Sequence, residues 1–187
     1  MCGIVGGIAQ RNVVPILMEG LKRLEYRGYD SAGLAVINNR QIYRKRELGK
    51  VKGLETLLEA EPISGHIGIA HTRWATHGKP STANAHPHIC RNKVAVVHNG
   101  IIENHEHLRA VQQQNGYEFI SETDTEVIAH EIYHALESLR LCSGQATDGL
   151  LSAVKKTLKK LDGAYALGIM SIDNPDTLIA CKKAVRW

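Results

Sequence analysis

A chain of 187 residues, 43% hydrophobic and 22% charged, holds enough apolar material for one domain with a substantial core. Its 23 basic and 19 acidic residues leave an excess of only +4, scattered along the chain, which argues against a nucleic-acid partner. No apolar run approaches the roughly 18 residues of a membrane span, and the N-terminus lacks the basic and long apolar regions of a signal peptide, so neither export nor a membrane partner is expected.

Residues 3–9 read as a strand and 14–24 as a helix with Ile16, Leu17, Leu21 and Leu24 on one side. A turn-rich segment, 26–31, precedes two strands at 32–38 and 41–47 with Asn38-Asn39 between them, then a helix near 51–60 and a strand at 67–71. From Arg73 to His88 there is no apolar period, and Gly78, Pro80, Ser81, Asn84 and Pro87 break any regular element. Loops of that length in compact domains are functional lids or disordered. A strand at 93–98 ends at Asn99-Gly100, and a helix at 105–114 is closed by Asn115-Gly116. Thr123-x-x-Glu126 forms a capping box for a helix to about residue 138. A third long helix, 147–161, carries Lys155, Lys156, Lys159 and Lys160 on its wet side. Strands at 164–172 and 177–181, joined by Asp173-Asn174-Pro175-Asp176, finish the chain. Strands and helices thus come in groups, which predicts an α+β fold instead of an alternating parallel one.

Cys2, Cys90, Cys142 and Cys181 form no C-x-x-C pair, which suggests neither a zinc knuckle nor a redox dithiol and makes a reducing cytoplasm the expected location. His130-Glu131-Ile132-Tyr133-His134 matches the helical zinc signature H-E-x-x-H, but no glutamate or histidine follows Glu137 to supply the usual third ligand. On a helical wheel Ile128, Ile132, Ala135, Leu136 and Leu139 form the apolar stripe, which leaves His130, His134 and Glu137 as a solvated face. His86-Pro87-His88 with Cys90 is a second, equally weak metal pattern. No metal site is expected.

The stronger nucleophile is Cys2. A thiol of ordinary acidity is a few per cent thiolate at neutral pH, roughly, so it needs a base beside it. Removal of Met1 would supply one, because the α-amine of Cys2 could then take the thiol proton directly or through water. Acyl transfer also needs an oxyanion hole and a substrate clamp. The Asn99 amide and the Gly100 N–H fit the first, although Asn99-Gly100 reads equally as a plain hairpin turn. Arg73 could grip a carboxylate, and Asp124, after the Thr123 cap, could receive an ammonium; together they would describe an amino acid. A surface arginine and a helix-dipole carboxylate are the bland readings of the same two residues.

Six blocks carry a resemblance: CGIVG from residue 2, RLEYRGYDSAG at 23–33, HTRWATHG at 71–78, NAHPH at 84–88, VHNGIIENH at 97–105 and SETDTE at 121–126. In order and over nearly the whole chain, they resemble the glutaminase domain of the glucosamine-6-phosphate synthase family. The resemblance implies an N-terminal-nucleophile hydrolase fold, a four-layer αββα sandwich of two antiparallel sheets. It implies loss of Met1, attack by Cys2 on the side-chain amide of L-glutamine, release of ammonia, and hydrolysis of a γ-glutamyl thioester, with no metal, nucleotide or flavin cofactor. By the same resemblance Asn99 and Gly100 form the oxyanion hole, Arg73 and Asp124 hold the substrate's carboxylate and ammonium, Thr76 and His77 line its site, and Trp74 belongs to a closing loop. Arg27 and Gly28 follow as pocket neighbours, and His86 and His98 as supporting, structurally buried histidines.

In that family the domain runs on past "DTLIA" into a serine- and proline-containing strand segment and then a sugar-phosphate isomerase domain that uses the ammonia. This chain reads Cys181 to Trp187 and stops. It is therefore expected to be a C-terminally truncated glutaminase domain, 2–187, without the isomerase. Three readings stand at this point: an active glutaminase fragment, a silent fragment that binds glutamine or another chain, and a zinc hydrolase built on the HEIYH helix.

Overall fold

The structure, a computed structural model, describes residues 2–75, 78–143 and 149–184. In the first half of the chain β1 (Gly3–Ile8), β2 (Ser31–Asn38), β3 (Gln41–Leu48) and β4 (Ile67–Arg73) form an antiparallel sheet in the order β1-β4-β2-β3. Helices α1 (Val14–Leu24) and α2 (Val51–Ala60) cover one of its faces, and a short 3-10 turn, Glu25–Arg27, follows α1. The second half repeats the plan. There β5 (His88–Cys90), β6 (Val94–Ile102), β7 (Gly163–Ser171) and β8 (Asn174–Lys183) pair antiparallel in chain order, and α4 (Thr125–Ser143) and α5 (Gly149–Leu158) pack on that sheet. Helix α3 (His105–Gln114) lies beside α4.

The central strands explain the layering. Along β2, Leu34 and Val36 join the cluster under α1 and α2, while Ala35 and Ile37 point to the opposite face. Along β6, Val94 and Val96 face α4 and α5, while Ala95 and Val97 meet Ala35, Ile37, Ile67 and Ile69 of the first sheet. Successive side chains of a strand leave on opposite faces, so a strand buried on both reads as a continuous apolar run. The result is the expected α+β sandwich: helices, sheet, sheet, helices.

Several local expectations are corrected. Strand β6 does not stop at Asn99-Gly100 but carries both in register, opposite Ala166 and Tyr165 of β7, so the hairpin-turn reading fails. Strand β5 was hidden in the irregular segment because three residues are too few to show a period. Helix α4 begins at Thr125, not at a Thr123 cap, since the Thr123 hydroxyl is engaged by His88 and Ser121. Strand β8 begins at Asn174 and includes Pro175, at a sheet edge where a missing N–H is tolerated. The start of the 147–161 helix and the chain's last three residues fall outside the described residues.

Candidate active site

The first strand delivers Cys2 to the junction of the two sheets. β1 pairs with β4, so Cys2 emerges beside the end of β4, where Arg73 and Trp74 lead into the long loop. The Trp74 N–H donates to Cys2 Sγ at 3.1 Å. From the other sheet the Asn99 side chain reaches across, its Nδ2 donating to the Cys2 carbonyl at 3.3 Å. A cavity of about 390 Å³ opens here, and Cys2, Arg73, Trp74, Asn99, Gly100 and Asp124 are in its wall, with His86, His98, Ile101, Thr123 and Thr125.

Each side chain is held by its surroundings. Arg73 is 3% exposed; its Nη2 donates to the Gly78 carbonyl at 3.1 Å and its Nη1 lies 3.6 Å from Asp30 Oδ1. Asp124 sits just before α4, buried, with Oδ2 accepting the Ile102 N–H at 2.9 Å and Oδ1 3.8 Å from His98 Nδ1. Arg109 fixes the approach to Asp124 by donating to the Ser121 and Thr123 carbonyls, and its guanidinium stacks 4.1 Å over the Phe119 ring. Asn84 ties the same segment to the irregular loop, accepting the Glu122 N–H and donating to the Glu122 carboxylate. Gly100 has φ +126°, and a Cβ there would lie 2.1 Å from the Ala164 carbonyl oxygen, so only glycine fits this turn of the strand.

The cavity wall holds both a buried guanidinium, Arg73, and a buried carboxylate, Asp124. Burial pushes the Cys2 thiol above its ordinary pKa, against the pull of the Trp74 N–H and the charge of Arg73. An unaided Cys2 therefore keeps its proton at neutral pH. His71 and His86 are neutral because burial disfavours their charged forms, His71 being brought down to about 3.

Of the residues named from the sequence, Cys2, Asn99, Gly100, Arg73, Trp74, Asp124, His86 and His98 meet at this one cavity. The Trp74 ring is 55% exposed and rests on Gly28, whose absent side chain and φ of +69° let it approach. Arg27 lies outside the cavity wall, in a neighbouring recess with Leu24, Ala180 and Lys182, its Nε on the Tyr26 hydroxyl. Thr76 and His77 fall outside the described residues. Sequence reasoning missed Asp30, His71 and Thr125, although the blocks at 23–33, 71–78 and 121–126 contain them.

The HEIYH helix is a different matter. His130 is buried, not solvated as the helical wheel predicts, and Glu131 is buried as well; the His130 ring packs on Tyr117 and Phe119 with Nδ1 3.1 Å from Cys90 Sγ. Glu131, which would have to activate water beside a metal, is instead closed by Gln112 and Lys160, while His134 is exposed. Among the described residues no group of three or more His, Cys, Asp or Glu side chains is arranged to hold a metal ion, and no helix is long and apolar enough to cross a membrane.

Comparison with known proteins gives a consistent result. Residues 71–184 match the glutamine amidotransferase domain family. Glutamine–fructose-6-phosphate aminotransferase (isomerizing) of Pseudomonas putida is 55% identical over 183 residues, 97% of this chain and 29% of the relative; that of Shewanella oneidensis is 56% identical over 177 residues, 95% of this chain and 27% of the relative. This chain thus spans less than a third of the length of the relatives it matches. Among solved structures, the allosteric regulatory enzyme of purine biosynthesis superposes with TM-score 0.75 at 29% identity, over 96% of this chain and 37% of that one. The B. subtilis glutamine phosphoribosylpyrophosphate amidotransferase superposes with TM-score 0.73 at 27% identity, over 92% and 35%. With two antiparallel sheets between helical layers and a cysteine leading the first strand into a cavity, the chain belongs to the glutamine amidotransferase family and has its N-terminal-nucleophile hydrolase fold.

Proposed function

We propose that this chain hydrolyses the side-chain amide of L-glutamine to glutamate and ammonia through a Cys2 γ-glutamyl thioester, as the glutaminase half of glucosamine-6-phosphate synthesis from fructose-6-phosphate. One observation carries the reading. A thiol, an amide N–H donor, a buried guanidinium and a buried carboxylate line a single cavity. A free α-amino acid with an amide side chain needs all four. Arg73 takes the α-carboxylate through paired N–H donors and Asp124 takes the α-ammonium, which aims the side-chain amide at Cys2.

The raised thiol pKa makes the base indispensable. With Met1 removed, the α-amine of Cys2 accepts the thiol proton as sulfur attacks the amide carbon. The oxyanion that forms is met by the Asn99 Nδ2–H and the Gly100 N–H. The protonated amine then gives its proton to the departing nitrogen, which leaves as ammonia, and the acyl group stays on sulfur as a thioester. Water, deprotonated by the same amine, adds to that thioester; its collapse returns the thiol and glutamate. With Met1 attached the α-nitrogen is an amide and none of these proton transfers is available. The ammonia released would serve the amino transfer to fructose-6-phosphate that the relatives' name describes.

The test is glutamate and ammonia release by the purified, Met1-processed chain and by its Cys2→Ser variant. The expected outcome is turnover by the parent, and in the variant a loss of about a hundredfold or more with glutamine binding retained. Comparable turnover by Cys2→Ser would refute the nucleophile. Glutamine binding without turnover in the parent would favour the silent-fragment reading instead.

A further inference from the structure

Along the cavity wall and just behind it, buried side chains come together end to end. His71 Nε2 lies 2.7 Å from Asn99 Oδ1, and His86 Nδ1 lies 2.9 Å from His71 Nδ1. The Thr125 hydroxyl lies 2.8 Å from His86 Nε2 and 2.9 Å from His98 Nδ1. Each imidazole, the hydroxyl and, by exchange of its two amide atoms, the asparagine can present a donor or an acceptor, so the line can run in two opposite senses.

The cavity end decides which. Asn99 turns its other amide atom to the Cys2 carbonyl oxygen at 3.3 Å, where only N–H is tolerated. Oδ1 therefore faces His71, and His71 Nε2 must carry a proton. His86 Nδ1 lies 2.9 Å from His71 Nδ1 and 3.3 Å from His71 Nε2, over the face of that ring and not in line with a lone pair in its plane, so the proton between the two imidazoles belongs to His86 Nδ1. The rings meet edge to face at 83°, which also favours an N–H, not a lone pair, pointing toward His71. His86 Nε2 is in turn an acceptor and takes the Thr125 hydroxyl proton, which leaves the Thr125 oxygen to accept from His98 Nδ1–H. The His98 backbone carbonyl also accepts from the His71 ring, which works against the effect of burial there. Burial keeps His71 and His86 neutral, as the scheme requires.

We propose that His98, Thr125, His86 and His71 form a relay of fixed polarity whose task is to hold the Asn99 amide with its NH₂ toward the reacting atoms. These four are positioning residues, and their purpose rests on the glutaminase reading given above. Were the relay reversed, Asn99 would present Oδ1 to the oxyanion and oppose the reaction that Nδ2 assists. The sense matters more here than the packing.

Two measurements test this on the whole chain. Long-range nitrogen–proton correlation spectra of the histidine rings, taken without substrate, should show His86 protonated on Nδ1 and His71 on Nε2. Either ring in the other tautomer, or charged at neutral pH, overturns the relay. For activity, Thr125→Val should lower kcat about tenfold with KM for glutamine nearly unchanged and should release His86 into mixed tautomers, while Thr125→Ser should restore both. Wild-type kcat in Thr125→Val refutes the positioning role. If the parent chain does not turn glutamine over, the proposed function fails on its own, and the spectra still judge the relay.

Discussion

Cys2 is pulled two ways: burial raises its pKa, while the Trp74 N–H and Arg73 lower it, and burial is the larger effect. In the proposed mechanism the nucleophile therefore depends on its own amine. Beside it, Gly100 takes part through what it lacks. A methyl group at Gly100 would strike the Ala164 carbonyl at 2.1 Å while the backbone sits at φ +126°. Gly100→Ala should therefore cost about 2 kcal/mol or more of stability, read as a lower midpoint in denaturant, and should disturb the Asn99 position as well. At Asp124 the prediction concerns substrate: Asp124→Asn should raise KM for glutamine by about tenfold or more through loss of a charged hydrogen bond, and an unchanged KM would remove Asp124 from the clamp. That Cys2, Asn99, Arg73 and Asp124 would gather was legible in the sequence, because the proposed acyl transfer would use those chemical types, and all four line one cavity. Asp30, His71 and Thr125 were not, because each acts on another side chain and only the packing of the two sheets and α4 brings them there.

At the N-terminus of α4 the sequence shows a capping box, and the molecule builds something else. The Glu126 carboxylate accepts the Ile120 and Ser121 N–H groups, the Ser121 hydroxyl joins it, and Thr123 turns away to His88. Burial alone would raise the Glu126 pKa, but hydrogen bonds from His130, Ser121 and Ile120 hold it below the usual carboxylate range. Glu126→Gln keeps the shape and loses the charge. It should cost about 1–3 kcal/mol in a denaturant titration, and because Asp124 lies two residues away it should also weaken glutamine binding. A long-range partner outcompeted the local rule here, which a pattern of four residues cannot reveal. The same holds for the HEIYH turn: the 3.6-residue period rightly finds Ile128 and Ile132 inside, but Phe119 and Tyr117, distant in sequence, cover His130. Strand β6 shows the converse, since Asn99-Gly100 is ordinary turn chemistry that the pairing with β7 draws into a strand.

The whole molecule concentrates neutral histidines between its layers. His71, brought down to about 3 from an ordinary 6.5, refuses protons that the unfolded chain accepts, and burial lowers His86 and His88 in the same sense. Their contribution is present above about pH 6.5 and is lost as pH falls toward 3. The urea midpoint should thus fall steadily from neutral pH toward pH 4, more shallowly in His88→Gln; a flat profile would contradict the burial of these rings. The layer plan itself was legible, because grouped strands with doubly apolar centres have few ways to bury both faces. What the plan accomplishes is to bring the start of β1 in one sheet against β6 of the other at Cys2 and Asn99. The most direct test of that arrangement is intact-mass and peptide mapping after exposure to an electrophilic ketone analogue of glutamine. A single adduct on Cys2 of the Met1-processed chain is predicted, competed by glutamine and absent when Met1 is retained. Labelling that ignores Met1, or that falls on Cys90 or Cys181, would contradict the account.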